Sequence, residues 1–227
     1  MSVIFGDNQR INCGNDGSLE LTGYFTVAIY AKPDAGAVNK GVFSRIQFAG
    51  AFPGYALAIG TYGADLKMQA YIGGWRVGGV AITKGVWSWF FYTTWWDMEA
   101  GNWILSFYQD LASKGSAVSV APGACVEPAN IGGWGDDSFD MDGPIGEAYV
   151  WNGTILTLPE MTLIVNSKMK GIGLQIQPAQ IKGYWSLDDH PDGLVLVNDV
   201  FTDKSGTGNH GTTNGGTMEA EKNLSYQ

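Results

Sequence analysis

A chain of 227 residues is long for an average domain but ordinary for one all-β sandwich. With 45% apolar and only 15% charged residues, a disordered chain is excluded and a sizeable core is supplied. Thirteen basic against 22 acidic residues give a net charge of −9, which argues against nucleic acid or an anionic lipid surface as a partner.

The 33 glycines follow no three-residue period, so they suit tight turns and exclude collagen. Most of the nine tryptophans are expected in a sheet core. The opening MSVIFGDNQRINCGND has no basic stretch leading into a sustained apolar run, so no secretory leader is expected in it. No window reaches the length and apolarity of a membrane span. Cys13 and Cys125 are accordingly expected to be free thiols, and the sequons at Asn152 and Asn223 carry little weight.

Short apolar runs broken by Gly, Asn and Asp recur along the chain. Thr26 to Ala31, Gly41 to Phe48, Tyr55 to Gly60, Leu66 to Ile72 and Gly79 to Thr83 read as strands in meander spacing. Trp87 to Trp96 (WSWFFYTTWW) is the strongest strand signal, and the Asp97 to Asn102 turn joins it to Trp103 to Gln109 as a hairpin. Alternation sets Trp89, Phe91 and Trp95 on one face and Phe90, Tyr92 and Trp96 on the other, so burial on both faces is expected. Ala129 to Gly133, Gly146 to Trp151 and Ile181 to Leu187 are further strands, while Leu158 to Lys170 reads as one short surface helix with Pro159 at its start. Residues 1–217 are expected to form a single domain and 218–227 a flexible tail. These elements predict an all-β, two-sheet antiparallel sandwich with one short helix.

Ordered motifs sharpen this. Val3 to Asp7, Ile11 to Leu21 (INCGNDGSLEL) and Phe25-Thr26-Val27, followed by Trp87 to Phe91, Ile131-Gly132-Gly133, Phe139 to Gly143 (FDMDG) and Ile145 to Trp151, resemble laminin-G-like members of the concanavalin A-like lectin-glucanase superfamily. The resemblance implies a jelly roll. Gly183 to Asp188 (GYWSLD) and Asp203 to Thr212 (DKSGTGNHGT) resemble another segment of that superfamily, here placed after the body of the domain as in stand-alone proteins of tailed bacteriophages. That placement implies a segment, 184–212, which packs on the sandwich or extends from it, and a virion surface location.

Some of these sandwiches are glycosidases, which work with paired carboxylates. The laminarinase-type pattern of two Glu and an Asp at alternating positions does not occur around any of the seven Glu, so no enzymatic activity is expected. His190 and His210 stand in turn-rich loops away from the cysteines and suit neither a zinc site nor a triad. Asp136, Asp137, Asp140 and Asp142 cluster within WGDDSFDMDG; Asp137, Asp140 and Asp142 are a candidate calcium site, with a solvated turn as the alternative. Trp75 and Trp134, flanked by glycines, are candidate stacking platforms for a glycan, with Asp136 and Asp137 available to sugar hydroxyls.

Three functions are therefore expected in order: a non-catalytic structural or adhesive virion protein, such as a decoration or tail-associated protein; a carbohydrate-binding module or lectin; and a glycoside hydrolase or lyase with an unfamiliar site. The partners are other virion proteins or a surface glycan, and a homo-oligomer is expected from the symmetry of viral surface proteins.

Overall fold

The computed structural model describes residues 1–5, 9–34, 40–47, 52–134, 140–141, 143–167 and 169–219. In chain order the strands are β1 (Ser2–Phe5), β2 (Ile11–Asn12), β3 (Phe25–Ala31), β4 (Lys40–Ile46), β5 (Gly54–Tyr62), β6 (Asp65–Tyr71), β7 (Trp75–Val77) and β8 (Ser88–Asp97). They continue with β9 (Asn102–Gln109), β10 (Ala112–Ser119), β11 (Asn130–Ile131), β12 (Gly143–Asn152), β13 (Ile181–Trp185), β14 (Val200–Phe201), β15 (Gly211–Thr213) and β16 (Thr217–Glu219). One α-helix, α1 (Leu158–Asn166), lies between β12 and β13.

The strands form two antiparallel sheets of eight. The first runs β10-β9-β8-β3-β12-β1-β16, with β13 also on β12; the second runs β14-β15-β2-β11-β4-β5-β6-β7. This is the expected two-sheet sandwich with one helix.

Strand alternation decides which residues fill the core. Phe90 and Tyr92 of β8 turn inward to the main cluster, with Val27, Leu57, Phe107 and Trp185. Trp89 and Phe91 turn outward, where α1 covers them together with Tyr149, Trp151 and Tyr184. The predicted burial of β8 on both faces is thus accounted for by a helix on one side and a sheet on the other. Tyr92 crosses the sandwich and donates its Oη–H to the Ala58 carbonyl at 2.8 Å, so its polar tip is satisfied inside an apolar core. Burial pushes its pKa up and keeps that donor in place.

Local chemistry sets the boundaries. In the β8–β9 hairpin, Asp97 Oδ1 accepts the N–H groups of Glu99 and Ala100, both at 3.0 Å, and closes the turn. Helix α1 begins at a capping box: Thr157 Oγ1 accepts the Glu160 N–H, and Glu160 Oε2 accepts the Thr157 N–H at 2.7 Å. It ends at Asn166, four residues before the expected end. Ser167 Oγ there takes the Met169 N–H, a local bond that competes with another helical turn.

Two further expectations are corrected. Gly79 to Thr83 is not a strand; it crosses between the sheets at one edge, donating from Val80 to Lys114 O and from Ile82 to Leu66 O. Only Trp89, Trp134, Trp151 and Trp185 among the nine tryptophans are buried, fewer than expected, because the others reach strand ends and sheet rims.

The C-terminal segment is woven into the sheets: β13 pairs with β12, β15 with β2, and β16 with β1. Trp185 is fully buried and donates its indole N–H to Asn209 O at 2.9 Å. Asp203 accepts the N–H groups of Tyr184, Ser205 and Asn209 at 2.9–3.0 Å, and Asn209 Nδ2 reaches Ser18 Oγ at 2.8 Å. A β-carbon on Gly183 would stand 2.2 Å from Trp185 Cη2, so the glycine makes room for that ring. The motif residues of this segment are therefore structural, and the segment completes the sandwich. The strand β16 carries it through Glu219, into the stretch read as a tail.

Candidate functional site on the outer face of the second sheet

On the face of the second sheet away from the core, strand registers align Asn12, Asn130, Ser44, Ala56, Tyr71 and Trp75 in one row. Their neighbours Ile11, Ile131, Phe43, Leu57 and Ala70 all belong to the inter-sheet core, which fixes the outward direction of the row. The next row holds Gly41, Ala58, Gln69 and Val77. In the first row Asn12, Asn130 and Ser44 occupy one half and Tyr71 and Trp75 the other, while Gln69 lies on the aromatic side.

Small residues between them admit a flat ring. A β-carbon on Gly41 would lie 2.1 Å from Trp134 Cδ1, so the Trp134 indole rests directly on the sheet. Its chain segment is tied down by Ser44 Oγ, which donates to Gly133 O at 2.8 Å. Gly132 turns the chain there with φ +84°, and the Phe5 ring fills the space a side chain would need.

Trp75 stacks on Trp134, with ring centroids 5.4 Å apart and planes 29° from parallel. Tyr71 meets Trp75 edge-on at 5.8 Å, and Phe52 meets Tyr71 at 6.0 Å. Trp75 is 38% exposed and Phe52 39%, whereas Trp134 is only 4% exposed. The two tryptophans singled out in the sequence are therefore brought together, but in different roles. Trp134 is corrected from platform to support: the sheet and Trp75 take its faces, and Trp75 presents the open ring.

On the same face lie two buried amides, Gln69 in the strand that carries Tyr71 and Asn130 four strands away from Trp75. Gln69 is 1% exposed and Asn130 2%; Asn130 Nδ2 donates to Pro128 O at 3.0 Å. Gln69 Nε2 and Asn130 Oδ1 have no hydrogen-bond partner among the described residues. A buried polar atom left so costs about 1–3 kcal/mol, which a water molecule or a ligand hydroxyl removes. These amides, like Tyr71, are missing from the sequence reading. The signal was available, because Gln69 and Tyr71 alternate with the apolar Met68 and Ala70 in a correctly read strand.

Asp136, Asp137 and Asp142 lie outside the described residues. Asp140 is buried against Gly133, where a β-carbon would stand 2.5 Å from its Oδ1. Among the described residues no group of three or more His, Cys, Asp or Glu side chains is placed to hold a metal ion. His210 Nδ1 accepts the Asp203 N–H at 3.2 Å, a turn role. Cys13 and Cys125 are both buried free thiols.

No family model matches this sequence, and no curated protein matches it. Among solved structures, the chain is similar to a Bacteroides ovatus ATCC 8483 protein provisionally named as carbohydrate binding, at 20% identity and a TM-score of 0.66. The match covers 96% of this chain, which spans 60% of the length of that protein. The fold is a jelly-roll β-sandwich. A heptameric SAP-like pentraxin of Limulus polyphemus shares it at 14% identity and a TM-score of 0.51, covering 93% of this chain and 95% of that one. The CBM40 module of a Ruminococcus gnavus IT-sialidase does so at 14% and 0.51, covering 73% and 97%. At these identities the likeness shows the fold alone.

Proposed function

We propose that this protein is a non-catalytic carbohydrate-binding module whose glycan lies on the outer face of the second sheet, stacked on Trp75. The observation that carries the reading is an open indole on the same face as two buried amide atoms, Gln69 Nε2 and Asn130 Oδ1, that have no hydrogen-bond partner among the described residues. An aromatic face suits the C–H face of a sugar, and amides suit its hydroxyls, since each amide both donates and accepts. The polar groups of the Trp75 row are uncharged, which favours a neutral glycan over an acidic one. The carbohydrate-binding names of two structural neighbours support the same reading.

On a virion surface, self-association of such a module would multiply weak single-site binding. The C-terminal segment does not favour that setting, because its strands complete the sheets and do not stand apart.

A glycan array probed with the full chain, with and without calcium, tests the proposal. Binding of neutral glycans that disappears with Trp75→Ala is expected. Binding unaffected by that change, or no binding at all, would overturn it.

A further inference from the structure

The two edges of the first sheet are finished differently. At one, β10, Val80 donates its N–H to Lys114 O at 3.1 Å, so the crossing segment takes up part of the edge. At the other, the chain from 194 to 196 lies beside β16. Met218 N–H donates to Leu194 O and Leu196 N–H to Gly216 O, both at 2.9 Å, on either side of the Val195–Thr217 pair. In an antiparallel ladder the residue between two such bonds aims its own N–H and C=O the opposite way. Val195 therefore presents a backbone donor and a backbone acceptor to the side of the molecule, and neither has a partner among the described residues.

The neighbouring edge strand of the second sheet is capped. His190 Nε2 lies 3.2 Å from Val200 O, and Asp189 Oδ2 accepts the Thr202 N–H at 3.0 Å. Open edges are usually guarded by charge or proline. This one carries valine: Val195 is 68% exposed and Val197 67%, with Leu194 and Val200 also exposed beside them in the chain. Residues 193–198 (GLVLVN) hold no charge, in a chain of net charge −9.

These features define the partner. A strand that docks here must be uncharged and apolar, since a charged one finds no counter-ion on 193–198 and loses hydration against valine. The same stretch of a second copy meets that condition. Because one residue supplies both donor and acceptor, a two-fold axis at Val195 satisfies both groups at once, each Val195 N–H donating to the Val195 C=O of the other copy.

We propose that this edge is a self-association surface, across which two copies pair antiparallel at Val195 and join their first sheets into one. The ladder is short. Gly193 leaves the extended line with φ +78°, and Asp199 Oδ2 accepts the Val197 N–H at 2.7 Å, so pairing is confined to Leu194–Leu196. Four exposed aliphatic side chains fall well short of the roughly 800 Å² per partner of a stable interface, so the dimer is weak, with a Kd on the order of 100 µM. It does not rest on the function proposed for the Trp75 face.

Sedimentation equilibrium of the full chain from about 10 µM to about 1 mM tests this. The mass should climb from monomer toward dimer, and more steeply at about 0.5 M than at about 0.05 M salt, because screening weakens the repulsion between two chains of net charge −9. Val195→Lys and Val197→Lys, at exposed positions, should keep the parent melting temperature and weaken the dimer at least roughly tenfold. Val118→Lys, at an exposed position on β10, should leave it unchanged. Hydrogen exchange reads the edge itself: the outward Val195 amide should exchange fast in dilute protein and more slowly as concentration rises. A monomer throughout, a dimer untouched by Val195→Lys, growth beyond the dimer, or a Val195 amide indifferent to concentration would each overturn the proposal.

Discussion

The indole of Trp134 occupies the space that a side chain on Gly41 would need, with its Cδ1 2.1 Å from the position of the missing β-carbon. Gly41 is thus the seat of the ring that supports Trp75. Gly41→Ala should push Trp134 off the sheet, lower stability by about 1–3 kcal/mol and weaken glycan binding at Trp75. Thermal denaturation with near-UV circular dichroism checks this; a variant with unchanged melting and unchanged aromatic signal would show that the seat is not needed.

Trp185 and Asn209 tie the C-terminal segment to the core through one 2.9 Å bond. Trp185→Phe removes the donor, leaves a carbonyl of a buried residue without it and opens a void at a fully buried position. A loss of about 2–4 kcal/mol is expected as a lower urea midpoint. A midpoint equal to that of the parent protein would mean that the segment adds little to stability.

Asp203 gives a pH dependence with a defined sign. Burial alone would raise its pKa, but the N–H of Tyr184 and the bonds from Ser205 and Thr207 outweigh it, so the carboxyl sits below its ordinary value. A depressed folded pKa stabilises fully above the unfolded value, about 3.9, and the contribution fades as pH falls through the folded value. The stability gap between the parent and Asp203→Asn should therefore be widest near neutrality and close in acid. A gap that does not change with pH would contradict this role.

Thr157 starts the helix that roofs the first sheet. Thr157→Ala removes the side-chain half of the capping box, the acceptor for the Glu160 N–H, while the backbone N–H at 157 can still donate to Glu160 Oε2; the change should cost about 1 kcal/mol, read from denaturant unfolding. Thr157→Ser should retain most of that stability.

Much of the fold was legible because aromatic and β-branched runs declare strands directly, as Trp87 to Trp96 does. Strand β10 was not, since ASKGSAVS has no apolar alternation and is held at a sheet edge by its backbone bonds to β9. At the candidate site, Trp75 and Trp134 stood out by their glycine neighbours. Their stacking did not, because it depends on the register of β6 and β7 and on the space over Gly41.

The carbohydrate reading is tested most directly by mapping a bound glycan. The neutral oligosaccharide that binds best on the array would be titrated into the protein while indole and side-chain amide resonances are followed. Saturable shifts of the Trp75 indole together with the Gln69 and Asn130 side-chain amides are predicted, all lost in Trp75→Ala. Shifts that leave these three residues untouched would contradict the account.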